Sequence, residues 1–289
     1  MEAGMRISAR KRSRRGVLGG LRRLLGGSQR APLLRRLVLI VAVALAGMVW
    51  SGTLRSSAPI AAETVAVADA RALSRALDAA QGGETLLLAP GDYGELILKK
   101  RAFSPPVTLA ASPEGAVRFA RIELVQSSGL TLVGLTLAKD LKASEKSRML
   151  TVRGCRIGLD GAYGTAVYMR DVQDLVLEDN QIRAGRHGVI LNAVTRAVLR
   201  GNSVREARED LLRITGRSQE ILIENNALID VTAKRPAHPD LIQIFGYEGN
   251  TPHDLTIRGN LLYDDPSTGE IYGQGIFMTD PHGGGYRNI

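Results

Sequence analysis

The stretch Leu-Val-Leu-Glu-Asp-Asn (175–180) returns as Ala-Val-Leu-Arg-Gly-Asn (197–202), Ile-Leu-Ile-Glu-Asn-Asn (221–226) and Leu-Thr-Ile-Arg-Gly-Asn (255–260). Two earlier copies, Leu-Thr-Leu-Val-Gly-Leu (130–135) and Leu-Thr-Val-Arg-Gly-Cys (150–155), keep the alternation without the closing asparagine. Apolar residues at every second position mark a strand with one buried face. A phrase that recurs every 20 to 25 residues, with one step of 34, marks stacked supersecondary units.

What fills the period decides which solenoid this is. Each repeat holds a second short strand, and none after the lead-in has room for a helix of useful length, so helix-containing repeats are excluded. Coils of strands and turns close as a parallel β-helix, each strand bonded to its equivalent one coil away at about 4.8 Å. The expected fold is therefore all-β over residues 64–289, and the C-terminal coil reads as incomplete. Tyr286-Arg287-Asn288-Ile289 aligns with His253-Asp254-Leu255-Thr256, or one residue off, and leaves Ile276 and Met278 uncovered. That pattern is expected of a truncated product or of an end buried against a partner.

The lead-in, the repeats and the asparagine positions resemble the right-handed parallel β-helix, pectin-lyase-like superfamily. The resemblance implies a right-handed coil and an N-terminal capping helix. Asp69 is placed to cap a helix with the apolar face Leu73, Ala76, Leu77 and Ala80, ending at Gly82-Gly83. Residues 100–118, with Pro105, Pro106 and Pro113, read as an irregular first coil. Asn180, Asn202, Asn226 and Asn260 read as a structural ladder, since Asn tolerates left-handed turns and stacked amides bond from coil to coil. Cys155 takes the ladder position in its coil and reads as a buried small residue.

Charge divides the chain. The formal net charge is +9, yet residues 1–57 hold 12 basic residues and one acid, leaving 26 basic and 28 acidic residues in the remainder. That excludes a basic nucleic-acid-binding domain. Residues 1–36 form a basic region, 37–50 an uncharged apolar run and 51–63 a linker. A basic flank before an apolar run is an export signal, and 14 residues fall short of the roughly 20 that span a bilayer. A cleaved signal and an uncleaved inner-membrane anchor both remain open. The small-x-small sites are Ile60-Ala61-Ala62 and Ala66-Val67-Ala68, and Ser13-Arg14-Arg15-Gly16-Val17-Leu18 resembles a twin-arginine signal. A periplasmic or extracellular location is expected.

The second strands carry the candidate chemistry. Their leading column is Thr165, His187, Asp210, Asp240 and Gln274, and their outward mid-strand column is Tyr168, Ile190, Arg213, Gln243 and Phe277. Loops lengthen beside the later coils, so 230–239 and 246–253 read as groove walls. Asp210 and Asp240, one coil apart, are expected to share a cation such as Ca2+ or a proton, or else to cap strand starts by accepting backbone N–H groups. Aromatic residues make up only 4% of the chain, which argues against an aromatic sugar platform.

Lyases and epimerases of this superfamily abstract the proton α to a uronate carboxylate, so the resemblance implies a base, a carboxylate neutraliser and an acid. His238 or Lys234 is the expected base, Arg213 the neutraliser and His187 a further catalytic candidate. Gln243, Arg235, Tyr168 and His282 are the expected substrate contacts. Asp280-Pro281-His282 resembles the core motif of mannuronan C5-epimerases, although Gly283 stands where the motif has Asp. The expected partner is an acidic polysaccharide. A glycoside hydrolase using Asp210 and Asp240, and a non-catalytic polysaccharide-binding or cell-envelope module, are the competing readings.

Overall fold

The computed structural model describes residues 63–158, 164–265, 267, 269 and 271–289. The basic region, the apolar run 37–50 and the small-x-small sequence at 60–62 lie outside the described residues. Among those residues, no helix is long and apolar enough to cross a membrane. The recurring phrases form one sheet of nine parallel strands, paired in the register the repeat demands: Leu150, Leu175, Ala197, Ile221 and Leu255 are successive partners. The second and third strands of each coil form the other sheet, a fork of two ladders that meet at the long strand Thr136–Ser144. The fold is a parallel β-helix.

Alternation places Leu175, Leu177, Leu199, Ile221 and Ile223 inside, each at most 4% exposed, opposite Val189, Leu191, Ile214, Ile242 and Ile244 from the second strands. One apolar column therefore fills the coil. The helix Ala70–Ala79 forms where Asp69 Oδ1 accepts the Ala72 N–H at 2.7 Å, and it buries Leu73 and Leu77 over the first coil. The strand Thr64–Val67 just before it is the first of the sheet, and Val67 is buried there.

Two expectations are corrected here. The segment expected to be irregular, 100–118, contains the regular strand Ala102–Ala111 and the start of Val117–Val125. Pro105 and Pro106 fall in a register shift between Ala102 and Val107, where residues lacking an N–H leave the ladder without breaking it, and Pro113 lies in the turn after the strand. The left-handed turn residue is also not the ladder asparagine but the one before it: Gly134, Gly154, Asp179, Gly201, Asn225 and Gly259 all have φ between 54° and 66°.

The asparagines serve through their side chains. Asn202 Nδ2 donates to Leu177 O at 2.8 Å and to Asn226 Oδ1 at 2.9 Å, while its own Oδ1 accepts from the N–H and Nδ2 of Asn180. The same pattern runs from Asn260 up to Asn180, whose Oδ1 takes the Cys155 N–H. Cys155 ends the ladder, fully buried, with its thiol pushed up to about 11 by desolvation, so it holds no reactive thiolate. At the C-terminal end Arg287 pairs with His253, the one-residue offset, and Ile276 and Met278 are 50% and 37% exposed.

Candidate functional site

Both columns stack as the repeat implies. Thr165 pairs with His187 and Asp240 with Gln274, and the Leu212–Ile242 register sets Asp210 against Asp240. Tyr168, Ile190, Arg213, Gln243 and Phe277 follow one another in the outward column. Three members of the leading column, His187, Asp210 and Asp240, are buried where their strands enter the coil, whereas Arg213 and Gln243 of the mid-strand column are partly exposed.

Asp210 and Asp240 are both 0% exposed. Oδ1 of Asp210 accepts the backbone N–H of Asp240 at 3.1 Å, and Oδ2 accepts Nε and Nη2 of Arg213 at 2.6 and 2.5 Å. Burial pushes its pKa up to about 6 despite the pull of Arg213. Asp240 Oδ2 accepts Gln243 Nε2 at 2.8 Å and lies 3.7 Å from His238 Nδ1, while Oδ1 is buried without a hydrogen bond. Burial raises the pKa of this carboxyl too.

Of the two uses open to the pair, Asp210 takes the capping one. For a Ca2+ between them the donor set offers one uncommitted oxygen, Asp240 Oδ1, and among the described residues no group of three or more His, Cys, Asp or Glu side chains is arranged to hold a metal. The pair does not fit such an ion, since Arg213 already supplies the positive charge that Asp210 needs. Enclosure likewise keeps both carboxylates from a glycosidic bond, which the hydrolase reading requires.

His187 is buried as well. Its Nε2 lies 3.0 Å from Glu209 Oε2 and 4.0 Å from Asp210 Oδ2 without hydrogen-bond alignment, and burial followed by Arg213 pushes its pKa down to about 4. A neutral imidazole walled off in this way supports the column from behind. It does not meet a substrate.

The open face lies on the far side of these residues. A groove of about 780 Å3 runs across four coils, with Arg170, Asn192, Arg213, Thr215, Arg217 and Gln243 along its floor and crest and Phe245, Tyr247, Glu248 and Asn250 on one side. Arg213 and Gln243 thus each have two roles, being tied at the back to a buried aspartate and lining the groove in front. Three arginines face one carboxylate, Glu248, so the lining attracts anions. Phe245 and Tyr247 stack with centroids 6.5 Å apart, and His282 meets Tyr247 edge-on at 5.3 Å. An aromatic edge therefore exists, although the overall aromatic content argued against one.

The remaining candidates distribute unevenly. The wall 246–253 supplies the groove side, as expected from its length. His238, on the wall 230–239, stands beside the groove without lining it: it is exposed, packs edge-on against Phe277 at 5.2 Å and has its Nε2 3.2 Å from Gln274 Nε2. Lys234 and Arg235 are exposed on that wall and do not line the groove. Tyr168 is half-buried between Lys142 and Ile190, outside it. Asp280 is held by its own turn, where Oδ2 accepts the Gly285 N–H at 2.6 Å and depresses its pKa, so the Asp-Pro-His segment is a folded turn that carries His282 to the groove rim.

Sequence reasoning missed Arg170, Asn192, Arg217 and Tyr247. A signal for the first two was present, because Arg170, Asn192, Thr215 and Phe245 form the column two residues beyond the mid-strand one and face outward by the same alternation.

No protein-family model matches the chain, and no curated protein is significantly similar to it. Solved structures that match include the PL6-family alginate lyase AlyGC, with TM-score 0.46 and 13% identity over 79% of this chain and 39% of that one. Pectate lyase Pel9A matches with TM-score 0.45 and 10% identity over 78% and 82% of the two chains. The Dettilon tailspike protein matches with TM-score 0.44 and 11% identity over 72% and 42%. The chain thus spans about two fifths of the length of the first and third of these. Likenesses of this size say nothing about activity.

Proposed function

We propose that the protein is an exported enzyme acting on an acidic polysaccharide, a lyase or C5-epimerase that works in the groove over the second-strand sheet. The observation that carries this reading is Arg213, whose guanidinium is locked from behind by a fully buried aspartate and offered to an arginine-rich groove. Fixing a long side chain in advance removes the entropy cost of ordering it when a substrate carboxylate binds.

In this reading Arg213 neutralises the uronate carboxylate and Gln243, oriented by Asp240, hydrogen-bonds the same sugar. His238 takes the proton α to that carboxylate, breaking the C–H bond. The electron pair left behind is delocalised into the carboxylate that Arg213 holds. It then either forms the C4–C5 double bond as the C4–O bond breaks, the leaving oxygen taking a proton from water, or takes a proton from water on the opposite face to give the inverted C5. Lys234 is the alternative base, and the basic and apolar leader accounts for export with or without retention at the inner membrane.

Incubating the protein with alginate, pectate and glycosaminoglycans tests the proposal. Ultraviolet absorbance reports an unsaturated product, and proton NMR reports an inverted C5. Binding without turnover would instead favour a polysaccharide-binding module, a reading supported by the enclosure of both leading-column carboxylates. Neither binding nor turnover with any acidic polymer would overturn both.

A further inference from the structure

A second groove of about 590 Å3 lies beside the first, over the turns that join each second strand to the next recurring strand. The two grooves share Ala193 and Arg217, so they adjoin along a crest formed by these two residues. Arg217 and Arg287 line the second groove together with His253, Gln219 and the backbone of Gly284-Gly285, and Asp171 is the single acid among its lining residues.

The cations here are ordered. Arg217 Nε donates to Asn250 Oδ1 across the crest, and Arg287 Nη2 lies 3.1 Å from His253 Nε2. His253 is held in turn by Asp254 Oδ2 at 2.7 Å, and the Arg287 backbone pairs with the His253 strand. The aspartate that holds the ring sits behind it and is not part of the lining. Glycine at 284 also matters, since a Cβ there would meet Thr251 Oγ1 at 2.2 Å and Gly249 O at 3.0 Å, so the loop approaches the groove as bare backbone.

We infer that this second groove is a distinct anion subsite for the same acidic polysaccharide chain, which crosses the crest at Arg217 so that a carboxylate of a neighbouring sugar reaches Arg287. The inference rests on the acidic-polysaccharide reading above and extends it, because nothing in the proposed proton transfer requires residues beyond the crest. Two anion sites joined at one arginine bind a ligand long enough to span both far more tightly than one that fills either alone. Linkage of this kind adds on the order of 10²–10⁴ in affinity when geometry allows both to engage.

Calorimetric titration with defined oligouronates of two and six residues tests this on the whole chain. The wild type is expected to bind the hexamer as one per chain and at least roughly 10-fold more tightly than the dimer. Arg287→Gln is expected to shrink that ratio to near one, and Arg287→Glu to do so more completely, while circular dichroism reports that each remains folded. Arg217→Gln is expected to weaken both ligands. Should Arg287→Gln misfold, the wild-type stoichiometry decides: two dimers but one hexamer per chain supports the inference, and one of each overturns it. Tight binding with an unchanged length dependence in both Arg287 variants overturns this inference alone. No binding of either oligomer by the wild type overturns the acidic-polysaccharide reading and this one with it.

Discussion

Two columns of polar residues run along this solenoid at the same coil-to-coil spacing of about 4.8 Å, and they handle charge in opposite ways. On the outside of the nine-stranded sheet, Arg153, Glu178, Arg200, Glu224 and Arg258 are successive partners, and each step is an ion pair of 2.6 to 3.3 Å. Glu178, Arg200 and Glu224 each meet an opposite charge above and below. Beside the groove, His187, Asp210, Asp240 and Gln274 occupy the equivalent stack, with two carboxylates adjacent, both enclosed and both with raised pKa values. A column of alternating charge stabilises stacking and asks nothing further of its residues, even where Glu224 is buried. A like-charged buried column costs desolvation, which Arg213 and Gln243 partly offset, and in return those two side chains are presented to the groove in fixed positions.

The sharpest break of this comparison is Arg213→Ala. It leaves the Asp210 carboxylate buried beside a second carboxylate, and removal of one partner of a buried pair costs about 3–5 kcal/mol. Loss of the neutraliser should lower turnover of an acidic polysaccharide by at least about 10²-fold. Urea denaturation and the turnover assay read the two effects separately, and a variant with wild-type midpoint and rate would contradict the role given to this residue.

The pH dependence of stability sharpens the comparison next. Asp210 titrates at about 6 in the folded protein against 3.8 ordinarily, so its contribution favours folding at low pH and is lost as pH rises from about 4 to 6. His187 runs the other way: its pKa falls from 6.5 to about 4, so its contribution grows as pH rises across nearly the same window. The two slopes oppose in the wild type. His187→Gln should therefore expose a stability that falls between pH 4 and 6, and Asp210→Asn one that rises from pH 4 to 6.5, each by no more than about 3 kcal/mol. Parallel pH profiles for both variants would show that the column does not titrate as described.

Asn202→Ala is expected to cost about 1–3 kcal/mol through buried amide partners left unpaired, with the specific activity of the folded fraction unchanged, because the ladder lies away from the groove. A folded variant that had lost turnover would move the site to the wrong face. Smallest of all is Arg200→Gln in the alternating column. Its side chain is 44% exposed and Glu224 keeps Arg258, so the denaturation midpoint should barely move and should respond to salt less than the wild type does.

The repeat, the cap helix, the asparagine ladder and the register of both columns were legible in the amino-acid sequence. A period near 22 residues with inner alternation allows one way of stacking, so knowing which residues recur is knowing which residues touch. The same logic placed Arg213 and Gln243 side by side and expected a wall at 246–253. What periodicity does not carry is the depth at which a side chain ends and the partner it chooses there. Asp210 was legible as a neighbour of Asp240 but not as a buried anchor for Arg213, because that depends on how closely the strand entries pack. Tyr168, Lys234 and Arg235 were placed on the right side of the coil and still fall outside the groove. Arg217 and Arg287 stand 70 residues apart in sequence, and the two reach one groove only because turns of different lengths from successive coils converge there. By itself the sequence determined the coil, its inner stacks and their order. The tertiary structure alone decided which charges are enclosed and which face the groove, since enclosure is settled by packing among coils of unequal length.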